Sequence, residues 1–250
     1  MLSILLERSD ALSYFGNNIA NTTFDWTYIL VLIGAVISIW ASSNVNGTFS
    51  RCAKYRTSNG ITGAQAAETL LRQNGIYDVR VEHIRGNLTD HYDPRSKVLR
   101  LSDTVYGSTS VAAVAVAAHE CGHAMQHDQG YEPLQLRSLF VPVANIGSKF
   151  GIFVVLGGVI FAMQPLVTLG IILFSFGMLF QLITLPVEFN ASHRALVALR
   201  ENGMLVGEEN NIAYKVLKAA ALTYVAAAAA SFLTLLRLII LFGGNGKKKS

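Results

Sequence analysis

The sequence predicts a mainly α-helical membrane protein of about four transmembrane helices, with one small α+β layer outside the bilayer. Three observations carry that expectation. The chain of 250 residues is 52% hydrophobic and 14% charged, where soluble domains average about 25% charged. No charged residue occurs between Lys149 and Glu188. A span needs about 20 apolar residues, so that run fits two spans joined by a tight turn. Finally, the Ala-rich stretch from Ser110 runs straight into HECGHAMQH at 119–127, which places the pair His119 and His123 with Glu120 in a largely apolar helix.

Taken in order, residues 1–25 form an N-terminal segment outside the cytoplasm, and a first span covers 26–42 with Trp26 and Trp40 as interfacial anchors. Glu7, Asp10 and Asp25 stand where a signal peptide would carry basic residues, so this span reads as a retained anchor. The layer over 43–138 opens with a helix capped by Thr62 that runs to Gln73 and is closed by Asn74-Gly75. Strands at 77–84, 88–92 and 97–101 follow as a short meander, with Asp93-Pro94-Arg95-Ser96 as the turn between the last two. Ser108, Thr109 or Ser110 caps the motif helix, and Asp128 and Gly130 supply its end. A transmembrane hairpin over 139–187 turns at Gln164-Pro165. Residues 188–218 form a further helix and connection. The last helix, 219–243, either spans or is partly immersed. Its one charge, Arg237, snorkels to an interface, lines a cavity, or marks partial immersion.

Basic residues set the orientation. Arg51, Lys54 and Arg56 follow the first span, Asp25 precedes it, and Arg137 and Lys149 lie before the second. This places 43–148 in the cytoplasm. The Lys247-Lys248-Lys249 tail disagrees if the last helix spans fully, so the side of the C-terminus stays open. The net charge of +4 reads as membrane orientation, and nothing resembles a nucleic-acid module. Cys52 and Cys121 give no disulfide framework and fit a reducing compartment. Cys121 lies about 200° round the helix from His119, which favours packing over ligation.

The chemistry lies in HExxH. His119 and His123, four residues apart, share one helical face and can both reach a Zn²⁺ at about 2.0–2.1 Å. Glu120 beside them is placed to take a proton from an activated water. Gln126 and Gln129 stand where a metzincin would continue its motif, which excludes that class. His127 is about 12 Å along the axis from His119, too far to join the same ion. His83 and His91 either contact substrate or face solvent. Glu188 is the better third ligand, because a carboxylate at the end of a long apolar run is costly unless functional. Its other reading is an interfacial carboxylate paired with Arg194 or a lysine. Ser192, four residues on, shares its face and could orient a ligand.

HECGHAMQH, LTDHYDPRSKVLRLSDTVYG and PVEFNASHRA together resemble the YugP-type bacterial membrane zinc metallopeptidases, over about residues 24–240. More distantly the layout resembles the HtpX and CAAX prenyl endopeptidases, gluzincins whose E-x-x-A-D pattern falls on Glu188-Phe-Asn-Ala-Ser192. Serine replaces the aspartate there, which puts its orienting role in question. The resemblance implies a multi-pass protein of the bacterial cytoplasmic membrane with a zincin-like cytoplasmic layer. It implies a zinc-dependent endopeptidase acting on membrane or membrane-proximal proteins, with Zn²⁺ on His119, His123 and Glu188 and Glu120 as general base. His91, Tyr224 and Arg237 are candidate oxyanion donors. An extended substrate would add to a sheet edge formed by Asn87, Leu88, Thr89, Asp90, His91 and Tyr92. Membrane lipid and a protein or peptide substrate are the expected partners. The rival readings are a non-catalytic scaffold that keeps zinc for folding and a zinc hydrolase of a lipid or non-peptide amide.

Overall fold

A computed structural model describes residues 25–243. The expected N-terminal segment, apart from Asp25, and the lysine tail lie outside the described residues. Among the described residues, four helices are long and apolar enough to cross a membrane: α1 (Tyr28–Cys52), α4 (Glu132–Ile160), α5 (Gln164–Glu201) and α6 (Glu208–Phe242). Between α1 and α4 come α2 (Gly63–Gln73), β1 (Arg80–His83), β2 (His91–Asp93), β3 (Val98–Leu101) and α3 (Val111–Asp128). Two compact units divide the described chain, one from 25–38, 139–182 and 226–243, the other from 39–138 and 183–225.

In the first unit, Asp25 starts α1 by accepting the Thr27 N–H at 3.0 Å, as a capping carboxylate does. The helix outlasts the span expected over 26–42. Its polar continuation to Cys52 stays helical because Arg51 falls in the last turn, where a cation suits the helix dipole, and donates to Thr48 Oγ1. The break between α4 and α5 comes at 161–163, just before the expected Gln164-Pro165 turn. Ala162 turns the chain at φ 51°, and Pro165 falls in the first turn of α5, where a missing N–H costs nothing. The two helices meet backbone to backbone. A Cβ on Gly147 would lie 2.2 Å from Leu173 O, and one on Gly158 would lie 2.6 Å from Val167 N. Small residues allow this approach where lipid removes the hydrophobic drive for helix association. Near the same break, Gln164 donates to Phe242 O of α6 at 3.2 Å, and Arg237 of α6 stacks 4.0 Å over the Tyr28 ring and reaches Asp25 at 3.8 Å.

The second unit holds the α+β layer. α2 begins in a capping box: Thr62 Oγ1 accepts the Gln65 N–H while the Gln65 side chain accepts the Thr62 N–H. Its Ala66, Ala67, Leu70 and Leu71 pack with Val111, Val114 and Ala118 of α3 in one core that also takes Phe49 and Cys52. The sheet order is β1-β3-β2, which corrects the expected meander. β1 runs parallel to β3 with Arg80 opposite Val98, and β2 antiparallel with Tyr92 opposite Leu99. The cause is the 84–90 segment. Gly86 and Leu88 take positive φ, and Asp90 accepts from the Ser102 N–H at 2.7 Å and from its hydroxyl at 2.9 Å. Those bonds tie the loop to the far end of β3, so the chain crosses over instead of folding back. Residues 87–90 are therefore loop, and only His91 and Tyr92 of the expected edge residues lie in a strand.

Candidate metal centre and active site

Ser110 caps α3 by accepting the Ala113 N–H at 3.2 Å, which fixes where the helix starts and hence which face HExxH presents. Cys121 turns to the core, fully buried, with its thiol against Ala67 O at 3.6 Å. His119 and His123 turn the other way, their rings nearly perpendicular with centroids 4.8 Å apart. Across from them stands Glu188 of α5. Its Oε2 lies 3.3 Å from His119 Nε2 and 3.5 Å from His123 Nε2. Two atoms each about 2.0–2.1 Å from one tetrahedral centre sit about 3.3–3.4 Å apart, so these two spacings suit shared ligation of one ion, and all three ligand atoms lie within 4.8 Å of one another. The same Oε2 is buried without a hydrogen-bond donor, a costly arrangement that a cation would relieve. His119, His123 and Glu188 thus form a group that could hold a metal.

Each histidine is held by its other nitrogen. His119 Nδ1 shares a hydrogen bond with Ser192 Oγ at 3.1 Å, and His123 Nδ1–H donates to Gln126 Oε1 at 3.1 Å. With Nδ1 protonated, Nε2 keeps its lone pair for a metal. The serine of the E-x-x-A-S pattern thus still meets the His119 ring, and it accepts when Nδ1 carries the proton. Gln126 is fully buried, and its amide donates to Val187 O at 2.8 Å and Asn190 Oδ1 at 3.0 Å. It joins the helix of the histidines to the residues flanking Glu188. The helices touch at Gly122, where a Cβ would stand 2.4 Å from Ala191 O. Arg137 Nη1 reaches Glu188 Oε1 at 3.3 Å, and the Tyr224 hydroxyl lies within hydrogen-bonding reach of the same carboxylate.

Glu120 is buried beside the pair, with Oε2 accepting the backbone N–H of Tyr92 at 3.0 Å. Burial pushes its carboxyl up to about 7, against the pull of His119 and helped by the charges of Glu188 and Asp90. Because β2 is an edge, the Tyr92 N–H points away from β3 and into the site.

Other sequence candidates fall elsewhere. His127 meets the Tyr92 hydroxyl at 2.8 Å and stays outside the ligand group. His91 has its ring nitrogens on Thr89 O and Arg100, and His83 pairs with Asp103. Arg194, the sequence partner weighed for Glu188, bonds Asn190 and Gln129 instead. Arg237 is committed to Asp25 and Tyr28 within the other unit. Sequence reasoning missed Gln126 and Arg137. Gln126 was visible only as the residue three places after His123, and no spacing marks Arg137.

A family model described as "Putative neutral zinc metallopeptidase" matches residues 27–243. The "Putative membrane protease YugP" of Bacillus subtilis (strain 168) is 48% identical over 216 residues, covering 86% of this chain and 96% of that protein. No solved structure matches. The family match extends over nearly all the described chain, through both the apolar helices and the His119, His123 and Glu188 group. The chain therefore belongs to the neutral zinc metallopeptidase family.

Proposed function

We propose that this protein is a zinc-dependent endopeptidase of gluzincin type, with its site on the cytoplasmic side of a bacterial inner membrane, cutting membrane or membrane-proximal proteins. The observation that carries the reading is the spacing of His119 Nε2, His123 Nε2 and Glu188 Oε2 round an orphaned carboxylate oxygen, with Glu120 alongside. In this reading His119, His123 and Glu188 hold the zinc, and Ser192 and Gln126 fix the two imidazoles. The chemistry that zinc supplies in such a set is Lewis acidity, which activates a water and polarises the scissile carbonyl. Glu120 takes the proton from the attacking water and delivers it to the leaving amine. Burial raises the proton affinity of its carboxyl, which suits a group that must take up a proton and then give it away. Tyr224, close to the ligand carboxylate, is the donor best placed to face a developing oxyanion. The free edge of β2 offers main-chain groups to an extended peptide at Tyr92, whose N–H would pass from Glu120 to substrate.

The Glu120→Gln protein should keep about one zinc and lose turnover by more than about a hundredfold, the range of a lost general base. Comparing membranes that carry the active protein with membranes that carry the Glu120→Gln variant, for new peptide termini, identifies substrates in the same experiment. Termini that appear equally with both proteins exclude peptide hydrolysis at this site. Loss of zinc along with the Glu120 carboxylate would favour a structural metal.

A further inference from the structure

Beside Ser192, whose hydroxyl meets His119 Nδ1, the two helices α5 and α6 leave a groove of about 300 Å³. Phe189 and Leu196 line it from α5, Leu217 and Leu222 from α6, and Ser192 forms part of its floor. Ser192 Oγ is the group that holds His119 Nδ1, so the groove backs onto the histidine at the end remote from its ligand nitrogen. The rim is basic: exposed His193 and Lys218 both line it, and Lys218 Nζ sits 5.9 Å over the Tyr214 ring.

The groove lies where both helices change character. On α5 the uncharged run ends at Val187, and His193 and Arg194 follow within two turns. On α6, Lys218 is the last charge before the uncharged 219–236 stretch. An apolar slot with a lysine, a histidine and an exposed tyrosine at its rim, at the border between polar and apolar helix, has the chemistry of a lipid site. Acyl chains fill the slot and basic rim groups meet the headgroup phosphate. We propose that this groove binds one phospholipid with an anionic headgroup, its acyl chain against Leu217 and Leu222 and its headgroup on Lys218 and His193. The floor residue Ser192 then links lipid occupancy to the orientation of His119. The binding itself does not depend on the peptidase reading.

The test is native mass spectrometry of the full chain taken from vesicles of equal parts dioleoyl-phosphatidylglycerol and dioleoyl-phosphatidylcholine. The wild type should retain one phosphatidylglycerol in preference to phosphatidylcholine. Lys218→Gln should cut phosphatidylglycerol retention about fivefold, the effect expected of one surface cation, and leave phosphatidylcholine unchanged. Leu222→Trp, which fills the slot, should lower retention of both. Equal retention of the two lipids by the wild type, or an unchanged Lys218→Gln, overturns the proposal. So does a Leu222→Trp protein that keeps its lipid but shows a raised KM for peptide cleavage, since the groove would then hold substrate.

Discussion

Three kinds of residue build the site, and they differ in how visible they are in a sequence. His119, Glu120 and His123 stand at fixed offsets on one helix, so their geometry follows from helical periodicity alone. Glu188 was legible because a carboxylate ending a long uncharged run is rare and costly. Gln126 and Arg137 act on residues more than forty positions away or on a different helix, and no local pattern encodes that. Gln126 nevertheless carries a clear expectation. Its carbonyl oxygen holds His123 while its amide holds Val187 O and Asn190. Gln126→Leu removes both ends, and zinc affinity should fall about 10–100-fold, as for other partners of metal-bound histidines. Gln126→Glu keeps an acceptor for His123 and should recover part of that loss. Competition against a zinc-sensitive dye measures both, and equal affinity in all three proteins would remove Gln126 from the site. For the ligands themselves, Glu188→Ala should lose zinc and His127→Ala should keep it. The reverse pattern would refute the third-ligand assignment.

At the scale of elements, helices were legible and strand pairing was not. Helix starts are written locally, in the Thr62–Gln65 box and the Ser110 cap, and four long helices follow from hydropathy. The parallel pairing of β1 with β3 depends on Asp90 bonding Ser102 across the connection, a contact no alternation pattern announces. Ser102 is fully buried, so Asp90→Ala leaves its N–H without an acceptor and should destabilise the fold by about 1–3 kcal/mol. Denaturant unfolding would detect that, and an unchanged midpoint would mean that other contacts hold the crossover. Helix contact is also specified by single glycines. Gly122→Val drives a side chain into Ala191 O, where even a Cβ would lie at 2.4 Å. The α3 and α5 segments must then separate, which costs about 1–3 kcal/mol by overpacking and moves Glu188 away from both histidines. The expected signature is a joint loss of thermal stability and zinc. Gly122→Val protein that unfolds early yet binds zinc normally would show that the backbone contact does not set the ligand spacing.

At the scale of the molecule, the peptidase reading requires a topology. The second unit draws on 39–138 and 183–225, and residues from both stretches meet at the ligand group. Both must therefore emerge on one side of the bilayer, which obliges α4 and α5 to cross and return. Their break at 161–163 and the backbone contacts at Gly147 and Gly158 are what a returning pair needs. Within the first unit, Arg237 of α6 reaches Asp25 at the start of α1, so the last helix ends beside the beginning of the first. If 43–148 faces the cytoplasm, as Arg51, Lys54 and Arg56 suggest by the positive-inside rule, the end of α6 lies on the opposite side. The charge rule weighs loops near span ends and the first helix most, so the Asp25 contact outranks the tail lysines. The test replaces Cys52 and Cys121 by serine and introduces single cysteines at Ser58, Asn202 and Ser250, each probed with a membrane-impermeant maleimide in intact cells. Ser58→Cys and Asn202→Cys should stay protected until the cells are opened, and Ser250→Cys should label at once. Labelling of Ser58→Cys and Asn202→Cys from opposite sides would break the hairpin and the shared site together. Protection of all three would leave the site intact but place the end of α6 with the cytoplasmic layer, and the Asp25–Arg237 pairing would then be wrong.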